Sequence, residues 1–351
     1  MVKIRISILI IFFVGLFVLL LDAGKKNVKV LSMPYSPTPL QLKIPPGWPK
    51  PTANIFANNP LTEEGFQLGR RLFYDGRLSK DGNFACASCH QQFAAFATYD
   101  HDLSHGFHDQ FTTRNAPPLF NLAWATRFHW DGGVNHIEVQ ALSPMTASNE
   151  MGENVDSVLL KLRKDTAYQR MFKAAFGSNV INSQRMLKAL AQFAGSLISS
   201  DSKYDKVKRG EDKFNPTEQR GYELFKMRCN TCHKEPLFTD FSFRNNGLTL
   251  NNFLKDYGRM KITGNPADSL KFKVPSLRNV SVTYPYMHDG RLYSLSNVID
   301  HYSKGVQVSA TLDSSLRNGI PFTEPEKNDL IYFLHTLRDT AFFNAKRFSQ
   351  P

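Results

Sequence analysis

Two copies of one five-residue pattern contain all four cysteines of this 351-residue chain. Residues 86–90 read CASCH, and residues 229–233 read CNTCH. Two thiols with the spacing C-x-x-C can add to the two vinyl groups of a haem, and the histidine that follows is then placed under the iron as an axial ligand. The pattern therefore predicts two covalently bound haem c groups, one at each copy.

The attachment residues follow directly from the two motifs. In each motif the cysteines are expected to form the thioether bonds and the histidine to bind the iron. These residues are Cys86, Cys89 and His90 for the first haem, and Cys229, Cys232 and His233 for the second. A disulfide would not need a histidine at the same offset twice, and adjacent Cys-His residues fit tetrahedral zinc spacing poorly. Haem attachment is therefore favoured over both alternatives.

The N-terminus is typical of an exported protein. Two basic residues precede an apolar run over residues 6–21, and Lys25 and Lys26 follow it. Residues 1–24 are therefore predicted to be a secretory signal peptide or a short uncleaved anchor in the inner membrane, and the residues do not select between the two. Either one predicts a periplasmic protein. Export agrees with haem c attachment, which takes place outside the cytoplasm.

The remaining chain is predicted to contain a linker and two domains with a related plan. Residues 25–55 are rich in proline and predict a linker or an extended arm. The string NPLTEEGFQL from residue 59 precedes the first motif, and NPTEQRGYEL from residue 215 precedes the second. Each string predicts a helix start. We expect an N-terminal, peroxidatic haem c domain over residues 56–203 and a C-terminal, electron-transfer haem c domain over residues 204–351.

Helical periodicity predominates along the chain. Helical patterns occur at residues 155–176, 183–199 and 324–338, and strand-like alternation is sparse. The predicted fold class is mainly α, with two cytochrome c-like haem domains and little β structure.

The formal net charge of +12 lies in the first 50 residues and in the second half of the chain. This distribution favours an acidic electron-transfer partner, although a generally basic exported protein would also show it. No cluster of basic and aromatic residues indicates nucleic acid binding.

Two longer segments resemble a known family. They read RNAPPLFNLAWATRFHWDGG from Arg114 and VPSLRNVSVTYPYMHDG from Val274. With the two haem motifs and with Gln140, Pro144 and Glu150, these segments resemble the bacterial di-haem cytochrome c peroxidases and their relative MauG. The resemblance covers most of residues 55–340.

The resemblance implies an enzyme that reduces hydrogen peroxide with electrons from a small cytochrome c or another donor. Cleavage of the O–O bond needs a group that moves a proton from one peroxide oxygen to the other. By its spacing from the tryptophan of WDGG, Glu150 matches the family's catalytic glutamate, and Gln140 matches a nearby glutamine. Trp130 matches a tryptophan between the two haems that relays electrons. Without the resemblance, Glu150 would be a surface residue and Trp130 a core residue.

The resemblance also implies one calcium ion. Asn115 matches a calcium ligand of the family, and Thr283 and Pro285 match two backbone-carbonyl ligands. Oxygen ligands of this kind suit calcium. Alternatively, these residues form an ordinary turn and the end of a strand.

Two further iron ligands depend on the branch of the family. Peroxidases often have a removable histidine on the open side of the first haem. His105 matches it best, although its distance from RNAP is two residues too long, and MauG-like members lack it. For the second haem, the resemblance implies Tyr302 as the sixth ligand, as in MauG, with Met287 as the alternative.

Two other functions remain open from the sequence. A MauG-like enzyme would use a high-valent state of both haems to oxidise a protein or another substrate. Tyr302 supports this alternative, but Met227 replaces the surface tryptophan that MauG has two residues before the second motif. A di-haem electron carrier is the third candidate, and it would need neither Gln140 nor Glu150. The resemblance also makes a homodimer an expectation.

Overall fold

Helices form most of the regular structure in the computed structural model, which describes residues 35–51 and 54–351. The α-helices, labelled in chain order, are α1 (Glu63–Phe73), α2 (Cys86–Cys89), α3 (Leu142–Thr146), α4 (Val155–Arg163), α5 (Thr166–Phe176), α6 (Ser183–Gly195), α7 (Lys203–Lys208), α8 (Pro216–Arg228), α9 (Met260–Thr263), α10 (Leu295–Asp300), α11 (Glu324–His335) and α12 (Thr340–Phe343). Strands β1 (Phe243–Arg244) and β2 (Phe272–Lys273) pair in antiparallel fashion. The predicted mainly-α fold is confirmed.

Short helical turns lie between these elements. The 3₁₀ turns are Gly76–Leu78, Gln92–Ala94, Phe107–Asp109, Leu122–Trp124, Ile137–Val139, Pro266–Asp268, Val280–Val282, Ser314–Leu316 and Lys346–Phe348. A π-helical turn, His301–Gly305, directly continues α10.

The N-terminal predictions lie at the edge of what the structure describes. The predicted signal peptide or anchor over residues 1–24 is outside the described residues, and so is part of the predicted linker over residues 25–55. Among residues 35–51 and 54–351, no helix has both the length and the apolar character needed to cross a membrane.

The two predicted helix starts differ in detail. Asn215 caps α8 as the string predicts, because its side chain accepts from the amide of Glu218 while Glu218 bonds back to Asn215. In the first copy the cap is Thr62, three residues later than the corresponding asparagine. Asn59 instead accepts a hydrogen bond from the Gln192 side chain of α6, at 2.9 Å. A tertiary contact has thus replaced the local cap.

The helical pattern at residues 155–176 forms two helices. Asp165 interrupts it, because its carboxylate accepts from the amide of Ala167 and caps α5. An aspartate cap favours a new helix start over a continuous helix.

In each half of residues 37–351, a glycine permits two helices to come into close contact. Helix α1 packs on α6, and a Cβ at Gly69 would overlap the carbonyl oxygen of Ala189. Helix α8 packs on α11, and a Cβ at Gly221 would overlap the carbonyl oxygen of Asp329. Each helix that precedes a haem motif is therefore fixed against a second helix at backbone distance.

The C-terminal residues pack on the first of two hydrophobic cores. Phe342 and Phe343 belong to the core that contains α1 and α6. The Phe342 ring lies 5.7 Å from that of Phe96, and Arg347 forms an ion pair with Glu63 at 2.7 Å. The second core contains residues of α8 and α11. The domain division at residue 203 stays a prediction. Helix α12 belongs to the predicted C-terminal domain, yet it packs on the first core.

Candidate functional site

The first haem motif forms a single helical turn. The amide of His90 donates to the carbonyl of Cys86 at 2.9 Å, which closes α2. The Nδ1 atom of His90 lies 3.0 Å from the carbonyl oxygen of Phe96. If Nδ1 carries the proton of this hydrogen bond, Nε2 keeps its lone pair and can bind a metal. This is the tautomer that a haem ligand requires.

A cavity of about 300 Å³ adjoins the first motif. It brings His90 and both cysteines of the motif together with Gln140, Glu150 and Trp130. These residues come from segments that are far apart in the sequence, so the cavity depends on the tertiary fold. Its lining is mostly apolar, as a haem needs, and the thiols and imidazole lie in the wall. The residues present therefore fit a covalently bound haem.

Glu150 lies in the turn after α3, where burial raises the pKa of its carboxyl group. A neighbouring loop supports this turn. The amide of Phe107 donates to the carbonyl of Glu150 at 2.7 Å, and a Cβ at Gly106 would overlap the carbonyl oxygen of Asn149. The raised pKa lies closer to neutral pH, so the carboxyl group is better suited both to accept and to donate a proton. Its place in the cavity wall gives it access to a bound reactant.

His129 is a cavity residue that the sequence did not indicate. Its imidazole bonds to the backbone carbonyl of Gln140, and burial lowers its pKa. Its backbone has a φ of 62°, a conformation that non-glycine residues rarely adopt and that often marks functional sites. A lone histidine before WDGG carries no signal of this geometry, because the backbone angle and the contact with Gln140 appear only in three dimensions.

Trp130 lies where the chain around the first motif meets the β1–β2 pair. Its indole Nε1 donates to the carbonyl of Asn115 at 2.9 Å. Its own carbonyl accepts from the amide of Lys273 in β2, at 2.7 Å. The indole is buried. Trp130 therefore contacts both predicted domains, which is the position that an electron relay between them would need.

Arg114, the first residue of RNAP, anchors the same junction. It forms ion pairs with Asp131 at 2.5 Å and with Asp256 at 2.6 Å, and all three side chains are largely buried. Buried charges of this kind are costly unless they are paired and hydrogen-bonded. The network therefore fixes the WDGG turn against the chain after β1.

The second motif follows α8 without a break. Cys229 caps this helix, and the amide of His233 donates to the Cys229 carbonyl at 3.0 Å. The Nδ1 atom of His233 lies 3.3 Å from the carbonyl oxygen of Phe238 and 3.2 Å from that of Pro275. As at the first motif, this arrangement leaves Nε2 as the metal-binding atom.

Tyr302 lies in the π-helical turn and close to the second motif. Burial raises the pKa of its phenol to about 12, while a hydrogen bond with the Asn246 side chain and the nearby thiols of Cys229 and Cys232 also act on it. Turns of the π type occur frequently at functional sites. The alternative ligand is also near, because the Asn246 amide lies 3.3 Å from the sulfur of Met287. Tyr302 and Met287 both therefore remain candidates for the sixth ligand of the second haem.

His105 lies at the exposed edge of the cavity. Its ring centroid is 5.4 Å from that of His101, and its backbone pairs with Phe111. His105 faces solvent, but it still lines the cavity. Its role as an iron ligand stays a prediction.

The residues expected to bind calcium lie in segments that meet. The amide of Asn115 donates to the carbonyl of His288 at 2.9 Å, three residues beyond Pro285. The Asn115 side-chain amide donates to the carbonyl of Asp102 at 3.0 Å, which leaves the side-chain oxygen available. Among the hydrogen bonds of the described residues, none ends on the carbonyl oxygen of Thr283 or Pro285. Three oxygen atoms at this junction are therefore suitable donors.

Comparison with known proteins identifies the family. A family model described as di-haem cytochrome c peroxidase matches residues 63–213. Methylamine utilization protein MauG of Methylorubrum extorquens is 38% identical over 325 residues, which are 90% of this chain and 87% of the relative. Cytochrome c551 peroxidase of Nitrosomonas europaea is 32% identical over 307 residues, or 82% and 84% of the two chains.

A solved structure supports the same assignment. The crystal structure of a MauG-like protein associated with microbial copper homeostasis aligns with a TM-score of 0.82 and 34% sequence identity. The alignment covers 89% of this chain and 99% of that chain. With its two haem motifs and its helical fold, this chain belongs to the di-haem cytochrome c peroxidase and MauG family of oxidoreductases.

Proposed function

We propose that this enzyme reduces hydrogen peroxide to water at the cavity next to the first motif. One observation carries the proposal: the cavity joins His90, the histidine of the first motif, to the half-buried carboxyl group of Glu150, whose pKa is raised. A haem bound there supplies the iron and the redox equivalents for peroxide reduction. A protein that only carried electrons would not need an acid–base group beside the iron.

Two side chains of the cavity transfer the proton and position the peroxide in this reaction. The carboxylate of Glu150 accepts the proton of one peroxide oxygen and returns it to the other oxygen, which then leaves as water. The Gln140 side chain orients the peroxide.

The second half of the chain receives and relays the electrons. His233 and the cysteines of the second motif hold the second haem, and the buried indole of Trp130 connects the two halves. The donor is a small cytochrome c or another electron-transfer protein. The positive charge of the second half favours a donor with an acidic surface.

Mixing the purified protein with hydrogen peroxide and a reduced small cytochrome c tests this function. We expect oxidation of the cytochrome that depends on both the peroxide and the enzyme, measured by the loss of the absorbance of the reduced cytochrome. The experiment is run with the fully ferric and with the half-reduced enzyme, because a removable ligand such as His105 would delay only the ferric form. Absence of peroxide consumption in both forms would contradict the proposal and favour an electron carrier.

A MauG-like reaction is the second candidate. Tyr302 near the thiols of the second motif supports it, because a phenolate ligand stabilises ferric iron. The substrate would then be a protein side chain or another molecule that is oxidised at a distance. Met227, at the position of the MauG surface tryptophan, is exposed but does not supply an indole for such a reaction.

We further propose one calcium ion, bound by the side-chain oxygen of Asn115 and the carbonyls of Thr283 and Pro285. We expect the purified protein to contain about one calcium per chain and Asn115→Ala to lose it, because the two carbonyls alone give too few ligands. Calcium content is measured by atomic emission after gel filtration. Asn318→Ala, which changes an exposed asparagine, is the control. Full calcium retention by Asn115→Ala would exclude this site.

The cellular setting is also proposed from the sequence. Haem c attachment and the N-terminal apolar run support a periplasmic enzyme, either released from its signal peptide or tethered to the inner membrane by it. Cell fractionation distinguishes the two forms. The homodimer expected from the family is tested by sedimentation of the purified protein.

A further inference from the structure

Two tyrosines from distant parts of the sequence form a contact pair at the surface. The ring centroids of Tyr99 and Tyr284 are 4.8 Å apart. The phenol of Tyr284 forms a side-chain hydrogen bond with Tyr99. Tyr99 is 38% exposed, and the ring of Phe93, which is 55% exposed, lies 5.2 Å from it. The pair is therefore accessible from solvent.

The backbone connects this pair closely to the first haem motif. Tyr99 follows Thr98, whose hydroxyl donates to the carbonyl of Cys89 at 3.3 Å. Cys89 is one of the two residues expected to bind the haem covalently. One residue and one hydrogen bond thus separate the Tyr99 ring from a thioether-forming cysteine.

We propose that Tyr99 and Tyr284 form a surface oxidation site at which the enzyme oxidises phenols. The proposal rests on the proposed reaction with hydrogen peroxide, which supplies the oxidant, and adds a second class of electron donor to the cytochrome. The site is distinct from Trp130, which is buried at the junction of the two halves.

The reaction balances in electrons and protons. After peroxide has oxidised the enzyme, Tyr99 gives one electron to it and releases the phenolic proton to solvent or to the exposed carboxylate of Asp100. A phenol then returns one electron and one proton to Tyr99, so its O–H bond breaks and that of Tyr99 forms again. Two such cycles reduce one peroxide to two water molecules and oxidise two phenols to phenoxyl radicals.

The chemistry of the pair favours phenols as donors. Transfer of a hydrogen atom between a phenol and a tyrosine nearly conserves the bond energy, because the same kind of bond is broken and formed. The exposed rings of Phe93 and Tyr99 give a planar donor a surface on which to stack. A bulky phenol can reach these exposed rings from solvent, whereas the half-buried carboxyl group of Glu150 lies in the wall of the cavity.

The test uses the enzyme with both haems attached, 2-methoxyphenol as the donor, and the variants Tyr99→Phe and Tyr284→Phe. We expect Tyr99→Phe to lower kcat/KM for 2-methoxyphenol about tenfold or more, with unchanged peroxide-dependent oxidation of a small cytochrome c. Tyr284→Phe keeps the backbone around Pro285 and is expected to lower the same constant to a smaller extent. Tyr293→Phe, which removes another exposed tyrosine near Asp100 and Asp102, is the control and should have no effect.

A spectroscopic measurement identifies the oxidised side chain. Rapidly frozen wild-type enzyme with peroxide should give a radical signal that narrows when ring-deuterated tyrosine is incorporated, and Tyr99→Phe should lose it. A wild-type enzyme that consumes no peroxide would remove the proposed function and the oxidant together. Normal peroxide consumption with unchanged phenol oxidation and an unchanged radical in Tyr99→Phe would overturn the tyrosine site alone.

Discussion

Replacement of Glu150 by glutamine is expected to lower peroxide turnover about 10²–10⁴-fold while both haems remain attached. Glutamine has nearly the same shape as glutamate, so the turn after α3 and its contact with Phe107 should persist. It cannot accept and return a proton at neutral pH, however. Turnover is measured with a reduced cytochrome c, and haem content by the absorbance of the reduced protein.

Glu324→Gln is the matched control for this variant. Glu324 is the first residue of α11, its side chain is 76% exposed, and it does not line the cavity. The same change of charge there should leave turnover within about twofold of the wild type, since most surface substitutions have little effect. A Glu150→Gln variant with wild-type turnover, or equal losses in both variants, would exclude a specific role of Glu150.

The raised pKa of Glu150 also predicts a pH dependence. Burial disfavours the charged carboxylate, so its pKa lies above the ordinary value of 4.5. The proton acceptor is ionised above this raised pKa and becomes protonated as the pH falls through it. Turnover should therefore decline with acidification at a pH above 4.5, and the residual activity of Glu150→Gln should lack this decline.

The haem sites were predictable because their chemistry lies within five consecutive residues. Cysteine, cysteine and histidine at fixed offsets define the covalent attachment whatever the surrounding fold is. The mainly helical fold was also predictable from periodicity. The resemblance to the family implied that Gln140, Glu150 and Trp130 act together, and the fold brings all three to one cavity.

Other features depend on contacts that periodicity does not encode. Asn59 is a residue type that often caps helices, yet its side chain bonds to Gln192 of a distant helix. Thr62 caps α1 instead. His129 acquires its position from an unusual backbone angle. The pairing of Tyr99 with Tyr284 is a tertiary contact between distant segments. In each case a long-range partner, rather than local sequence, decides the structure.

Replacement of Tyr302 by phenylalanine is expected to raise the reduction potential of the second haem by the order of 0.1 V or more, because the axial ligand is a main determinant of haem potential. If Tyr302 is the ligand, its phenol oxygen would donate electron density to ferric iron, and phenylalanine would remove this donor while keeping the ring in the same turn. The potential is measured by a spectroscopic redox titration of the enzyme with both haems. The ferric spectrum of the second haem should change as well.

Met287→Leu is the counterpart that decides between the two candidate ligands. Both side chains contact Asn246, so either substitution disturbs the same neighbour, and a difference between the variants reports on the iron ligand itself. If Tyr302 is the ligand, Met287→Leu leaves the potential unchanged. If Met287 is the ligand, its replacement lowers the potential and Tyr302→Phe does not raise it, because a thioether ligand holds the potential high.

The same pair of variants connects the ligand to the function. A tyrosine-bound second haem stays ferric at potentials where a methionine-bound haem is already reduced. If Tyr302 is the ligand, the fully ferric enzyme should react with peroxide at once, as the MauG-like candidate requires, and Tyr302→Phe should slow this reaction. Dependence of the wild type on prior reduction, with no effect of Tyr302→Phe, would instead favour a reductively activated peroxidase. The ligand of the second haem would therefore determine whether the proposed peroxide reaction at Glu150 starts from the fully ferric enzyme or only after prior reduction.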